Sequence, residues 1–374
     1  MAAEAACARS AVAQAARPGR VPQIWLAGTV ALTLGAFTAA IALAPPASAP
    51  PVRGLTWLLF VGSSVHVAST GWLYTLPEVR GYARQRPVRL VVVPAALISA
   101  GAAAAALVSP AVLTWCLLPY YGWQFFHFQK QNLGMAALAA SSQRTGPLRP
   151  AERRAIMTAG FAGIAGLLAH PGLLQLRIGP GPGWLYPGDH AVFIGAAAVF
   201  AAAVGAGLAA TATRPRGPGA YKFRIVYLVS LGFFAPVFAC DSPYAAVGGM
   251  TIAHGLQYLL LLGLVAAGNP RTRGRTLRLA ALGNVALAGG LALSAASHLH
   301  GAGPAGRLVF GAYLGAVMAH FVIDAGMWRL RDPFPRAFLA ARAPGMLSAR
   351  RVSDSSVSTG VASAADRSAA ELLG

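Results

Sequence analysis

The chain has 374 residues, of which 56% are hydrophobic and only 11% charged, and its mean hydropathy is +0.58. Soluble domains run near a quarter charged, so this composition excludes an ordinary water-soluble fold and points to a single membrane bundle. The formal net charge of +20 does not mark a nucleic-acid binder, because the arginines fall in short gaps between apolar runs. A membrane surface with anionic lipid accounts for them, and no nucleic-acid partner is expected.

Residues 1–20 read as a cytoplasmic N-terminal segment, 21–330 as an all-α, polytopic transmembrane helical bundle of about ten spans, and 331–374 as a basic, disordered cytoplasmic tail. The first apolar run, Val21–Ala44, follows Arg17 and Arg20 and precedes Ala47, Ser48 and Ala49. It is longer than the apolar core of a signal peptide, and Pro50 follows the would-be cleavage site, so it reads as a membrane helix. The later spans are Gly54–Leu76, Val88–Ser109, Ala111–Asn132, Ala155–Leu173, His190–Ala212, Ile225–Cys240, Ala245–Ala267, Leu279–Ser297 and Leu308–Leu330.

Charge sets the orientation, because Lys and Arg collect in cytoplasmic loops and successive loops alternate sides. One set of loops holds Arg9, Arg17 and Arg20, then Arg80, Arg84 and Arg86, then Arg144, Arg149, Arg153 and Arg154. It continues with Arg214, Arg216 and Lys222, then Arg271, Arg273 and Arg275, then Arg329, Arg331 and Arg336. The intervening loops hold only Arg53, Arg177 and Arg307. The alternation predicts both termini in the cytoplasm and a multi-pass protein of the inner membrane. The cysteines, Cys7, Cys116 and Cys240, form no metal-ligand spacing. Nothing in the sequence sets an oligomeric state.

Ionisable residues inside a bilayer are costly unless paired or facing a cavity, so each is a functional candidate. They are His66 in the second span, His127 in the fourth, His254 in the eighth, and His320 with Asp324 in the tenth. All four spans are even-numbered and run from outside to inside. At 1.5 Å per residue, His66, His254 and His320 lie roughly 14–20 Å deep and His127 about 24 Å. Spacings of three or four residues place Asp324 on the face of His320, Thr70 on that of His66, Gln124 and Gln131 on that of His127, and Gln257 on that of His254. Imidazoles with one carboxylate suit iron, zinc or copper, and two or three histidines plus a carboxylate with open positions suit non-haem iron. His66, His127, His254 and His320 are therefore the candidate metal ligands, Asp324 and Gln257 the candidate catalytic groups, and Thr70 with the glutamines the residues that orient them. The plainer account is that each histidine merely hydrogen-bonds a neighbouring helix. Four such helices, three at matched depth, favour a shared site.

His170, Asp189, His190, His298 and His300 fall at outer helix ends or loops, where hydration explains them without a metal, and Asp241 reads as a helix-terminal residue. Around His127 lie Trp115, Tyr120, Tyr121, Trp123, Phe125, Phe126 and Phe128, which by default pack or anchor and beside a metal would wall a pocket for an apolar molecule. No Walker loop, GxSxG elbow or HExxH is present.

The stretches HFQKQNLG from His127, HGLQYL from His254 and HFVIDAGMWRLRD from His320 resemble motif blocks of a group of bacterial membrane proteins. That group looks distantly like the Brp/Blh-type β-carotene dioxygenases, polytopic enzymes that hold iron with intramembrane histidines and cleave a carotenoid. The resemblance implies His66, His127, His254 and His320 as ligands. The resulting expectation is a metal-dependent, iron-using membrane oxygenase acting on a lipophilic substrate drawn from the bilayer lipid. Two other classes stay open. Histidines on facing helices could ligate haem for electron transfer, and His320, Asp324 and Lys130 could form a proton-coupled transport path.

Overall fold

A computed structural model of the chain describes residues 20–46, 49–176, 178, 188–268 and 274–347. Among these residues every regular element is helical. The expectations for residues 1–19, for Arg177, Arg271 and Arg273, and for the tail beyond residue 347 lie outside the described residues.

Helix α1 spans Arg20–Leu43. The second, α2, is composite: α-helix over Arg53–Phe60, a π turn at Val61–Val65, one α turn at His66–Ser69 and a 3-10 end at Thr70–Thr75. A short α3, Pro77–Gln85, leads to α4, Val88–Leu107, which opens with a π turn at Val88–Val92. Then come α5 (Pro110–Ser142), α6 (Pro150–Ala169) and α7 (Asp189–Ala212). The expected span Ile225–Cys240 is divided: α8 (Ala220–Leu231) stops at Gly232, and α9 (Ala235–Ala239) restarts with Pro236 in its first turn. Pro lacks the N–H that a continuous helix would need there. After these, α10 covers Tyr244–Ala267 with a π turn at Tyr244–Gly248, α11 Arg275–Ser297 and α12 Pro304–Met327. Finally α13, Pro333–Arg342, forms within the segment expected to be disordered. Its Phe338 and Leu339 are buried against the bundle and Phe334 stacks on Tyr82, so apolar contact orders this stretch despite its basic neighbours.

The chain is a membrane protein: among the described residues six helices, α1, α4, α7, α10, α11 with the turn after it, and α12, are long and apolar enough to cross a bilayer. They divide into a periphery and a core. Only 11% of the α7 window is buried against 67% of the α10 window, and α7 exposes Val192, Ile194, Val199 and Leu208. In water that surface would aggregate; in lipid it is matched to its solvent.

Lipid gives helices no hydrophobic reason to associate, so close backbone approach through small residues carries the packing. Two such crossings position the histidine-bearing helices. Gly62 of α2 meets Ile252 and Gly255 of α10 so tightly that a Cβ on Gly255 would overlap the Gly62 carbonyl. Gly101 and Ala105 of α4 meet Gly311 of α12 in the same manner. The first crossing sets His66 beside His254, and the second backs the helix that carries His320.

At one end of the bundle Glu152 is fully buried in the first turn of α6. It accepts from the Arg149 guanidinium at 3.1 Å and from the Arg149 backbone N–H at 2.9 Å, and pairs with Arg214 at 3.5 Å. Arg214 lies over the Phe223 ring at 4.2 Å and donates to the Pro147 carbonyl at 2.6 Å. One carboxylate thus ties the α5–α6 loop to the segment joining α7 and α8.

Candidate metal centre

Four helices, α2, α5, α10 and α12, each contribute one histidine to a single buried point. The rings of His66, His254, His127 and His320 form a closed cycle: His66–His254 5.1 Å, His254–His127 5.0 Å, His127–His320 5.1 Å and His320–His66 5.1 Å between centroids. Exposure runs from 1% for His254 to 8% for His127, so bulk water does not solvate them. Ligand atoms of His66, His254 and His320 lie within 4.8 Å of one another, and so do those of His127, His320 and Asp324.

His127, expected deeper than the rest, is level with them. Its helix, α5, starts within one residue of the expected Ala111 and runs past Asn132 to Ser142, about 50 Å at 1.5 Å per residue, which is longer than the hydrocarbon core.

The four Nε2 atoms are all buried without a hydrogen-bond partner. An unmet buried polar atom costs about 1–3 kcal/mol, so four of them gathered in one buried cluster are poor packing. A hydrogen-bond network on the other side fixes the chemistry of one of them, His320. Tyr258 donates from its hydroxyl to Asp324 Oδ1 at 2.7 Å. Its oxygen is 2.9 Å from Thr70 Oγ1, which is 2.7 Å from His320 Nδ1. A hydroxyl donates once, so with Tyr258 donating to Asp324, Thr70 donates to Tyr258 and accepts from His320 Nδ1–H. His320 is thereby held as the tautomer whose Nε2 carries a lone pair, the form that binds a metal. Aromatic rings fix two more imidazoles in place: Phe128 stacks on His254 at 3.9 Å and Phe321 on His127 at 4.6 Å.

Asp324 Oδ2 lies 3.7 Å from His320 Nε2 and 3.9 Å from His127 Nε2. Gln257 is placed differently. Its amide donates to Thr33 at 2.7 Å and accepts from Gln131 at 2.9 Å, and Gln131 also donates to the His254 carbonyl at 3.1 Å. Gln257 therefore braces α1, α5 and α10 from one side of the cluster. The residue that sequence reasoning missed is Tyr258, which follows His254 by four residues on the same face; its aromatic ring made it look like core.

The outer histidines are separate from this cluster. His298 Nδ1 meets the Ser294 carbonyl at 2.7 Å and His300 Nδ1 the Ser297 carbonyl at 3.4 Å, both exposed. His170 packs near Phe193 at 5.9 Å, and His190 and Asp189 begin α7. Among the described residues none of these joins a group that could hold a metal. Lys130 is exposed rather than turned toward Asp324.

Compared with known proteins, the chain matches no family model, no curated protein and no solved structure. The likeness to Brp/Blh-type dioxygenases rests on the quoted residues alone.

Proposed function

We propose that this chain is a metal-dependent membrane oxygenase, most simply a non-haem iron enzyme, acting on a lipophilic substrate taken from the bilayer. The observation that carries it is the cycle of four imidazoles whose Nε2 atoms are buried and unpartnered, two of them, on His127 and His320, beside a carboxylate. Nitrogen ligands with one carboxylate suit iron, with zinc or copper as the other candidates for such a set. Bound iron supplies the redox chemistry that lets dioxygen react with an olefinic carbon. Cleavage of a carbon–carbon double bond into two carbonyl groups takes both oxygen atoms and balances without an external reductant. That is the reaction the resemblance to carotenoid-cleaving dioxygenases implies.

The chain's own residues have separable roles in this reading. His66, His127, His254 and His320 are the ligand set, and Asp324 either joins it or acts through Tyr258 and Thr70 to hold the proton on His320 Nδ1. Phe128 and Phe321 keep two rings from turning, and Gln257 with Gln131 holds the α10 backbone at His254. The bundle excludes water and leaves an apolar outer surface for a lipid-dissolved substrate.

A haem fits less well, because imidazoles in contact at 5.0–5.1 Å leave no slot for a flat macrocycle between them. Proton-coupled transport gains less support, since Lys130 is exposed while His320 and Asp324 are buried. The topology we assign is ten inner-membrane crossings with both termini cytoplasmic. It is supported by the arginine alternation and by the common direction that the histidine helices need if residues at equal offsets are to meet at one level.

Metal analysis of purified protein tests the reading. Wild type is expected to carry stoichiometric metal and no haem absorption. His320→Ala should strip most of the metal, Asp324→Asn should weaken binding by roughly 10–100-fold, and His300→Ala should change nothing. A folded wild type without metal, or a folded His320→Ala protein that keeps it, overturns the proposal.

A further inference from the structure

The residues around the histidines lie in layers. Four residues after each histidine stand Thr70, Gln131, Tyr258 and Asp324, which make up the hydrogen-bonded layer. Three residues before each stand Ser63, Gln124, Thr251 and Val317, and seven before His127 and His320 stand Tyr120 and Tyr313. Those six residues line one cavity of about 40 Å³, with His66 among its walls. One side of the imidazole cycle is thus closed by a saturated polar network, and the other opens into a small space.

Size and polarity say what that space can take. A water needs about 10–15 Å³ by this measure, so the cavity holds about three waters at most, or one ligand of two or three heavy atoms. A long apolar chain does not fit. The hydroxyls of Ser63 and Thr251 donate back to their own helices, to the Leu59 carbonyl at 2.6 Å and the Val247 carbonyl at 2.8 Å, so toward the cavity they offer only acceptor lone pairs. Gln124 differs, since among the described residues its amide has no hydrogen-bond partner. With the Tyr120 and Tyr313 hydroxyls in the same walls, it is a donor available to a guest.

We infer that this cavity is the binding pocket for a small co-ligand of the metal, a water, a triatomic anion or dioxygen, and that Gln124 donates a hydrogen bond that holds it. This rests on the metal reading and adds to it. A long apolar substrate is too large to share this cavity.

The test uses the purified full chain loaded with cobalt(II), whose visible bands report coordination, and azide as the probe. Wild type should show a saturable spectral change. Gln124→Leu should raise the azide Kd by about tenfold or more, the effect of losing one hydrogen bond to a charged ligand. Val317→Phe should fill the cavity and abolish the response, and both variants should keep one cobalt per chain. If Gln124→Leu loses metal, Gln124→Asn keeps the amide in a less demanding change and should still weaken azide. Cobalt-loaded wild type that ignores azide, or variants that bind cobalt and azide as wild type does, overturn the pocket and leave the metal site standing. Wild type that takes up no cobalt overturns both.

Discussion

Thr70→Val replaces a hydroxyl with a methyl group of nearly the same size, so it isolates the hydrogen bonds of the His320–Thr70–Tyr258–Asp324 chain without opening a void. Thr70 is 3% exposed and sits between His320 Nδ1 at 2.7 Å and the Tyr258 hydroxyl at 2.9 Å. With the oxygen gone, the His320 Nδ1–H is left buried without an acceptor, at a cost of about 1–3 kcal/mol. The imidazole can escape that cost by moving its proton to Nε2, but Nε2 then has no lone pair for a metal. Either route weakens binding, by roughly 10–100-fold if Thr70 behaves as other residues that orient a ligating histidine do. That range corresponds to about 1.4–2.7 kcal/mol. Competition against a chelator of known affinity, at fixed pH and with circular dichroism to verify the helices, measures it. Thr70→Ser, which restores the oxygen, should recover most of the loss. If Thr70→Val holds metal as tightly as wild type, the tautomer argument is wrong and His320 is oriented by packing alone.

Gly255→Ala should fail differently: the added Cβ overlaps the Gly62 carbonyl, which is backbone and cannot swing aside, so α2 and α10 must separate. A loss of about 1–3 kcal/mol in stability is expected, with falling metal content as His66 and His254 part, and an unchanged thermal midpoint would refute the close-contact account. For topology, Arg153→Cys in a background lacking Cys7, Cys116 and Cys240 should stay unlabelled by an impermeant maleimide in intact cells. Labelling there would reverse the assigned orientation.

Much of the bundle was legible in the sequence because apolar run length is a one-dimensional signal. Each expected span forms helix at nearly the expected place. The exceptions have local causes. Gly232 and Pro236 divide the seventh span, and π turns at Val61–Val65 and Tyr244–Gly248 alter the helical face just ahead of His66 and His254. An extra residue in a turn leaves no compositional mark, so the facing of those histidines could be proposed but not fixed from spacing. The cluster itself was half legible: ionisable residues in apolar runs stand out, and His66, His127, His254 and His320 do meet. Tyr258 did not stand out, because a tyrosine in a membrane helix is ordinary until its hydroxyl is seen against Asp324 at 2.7 Å. Gln257 stood out and proved to brace three helices rather than face the cycle.

The strongest reason to expect a cation at this site is what the site is without one. The ionic partners of Asp324 among the described residues are two buried histidines, His127 and His320, which carry charge only when protonated. A buried carboxylate then lacks a counter-charge while the four Nε2 atoms lack partners, which together cost several kcal/mol. A single dication answers all of these demands at once, so metal binding and stability should be linked. A ligand present at 100 times its Kd stabilises by about 2.7 kcal/mol, and the effect grows with the logarithm of concentration. Chelator treatment should therefore lower the thermal midpoint of the purified protein, and returning iron(II) or cobalt(II) should raise it in a concentration-dependent way. His320→Ala should be nearly insensitive to either. Histidines that only join helices by hydrogen bonds would respond to neither treatment, so a wild-type midpoint indifferent to chelator and to added metal would return the cluster to polar packing.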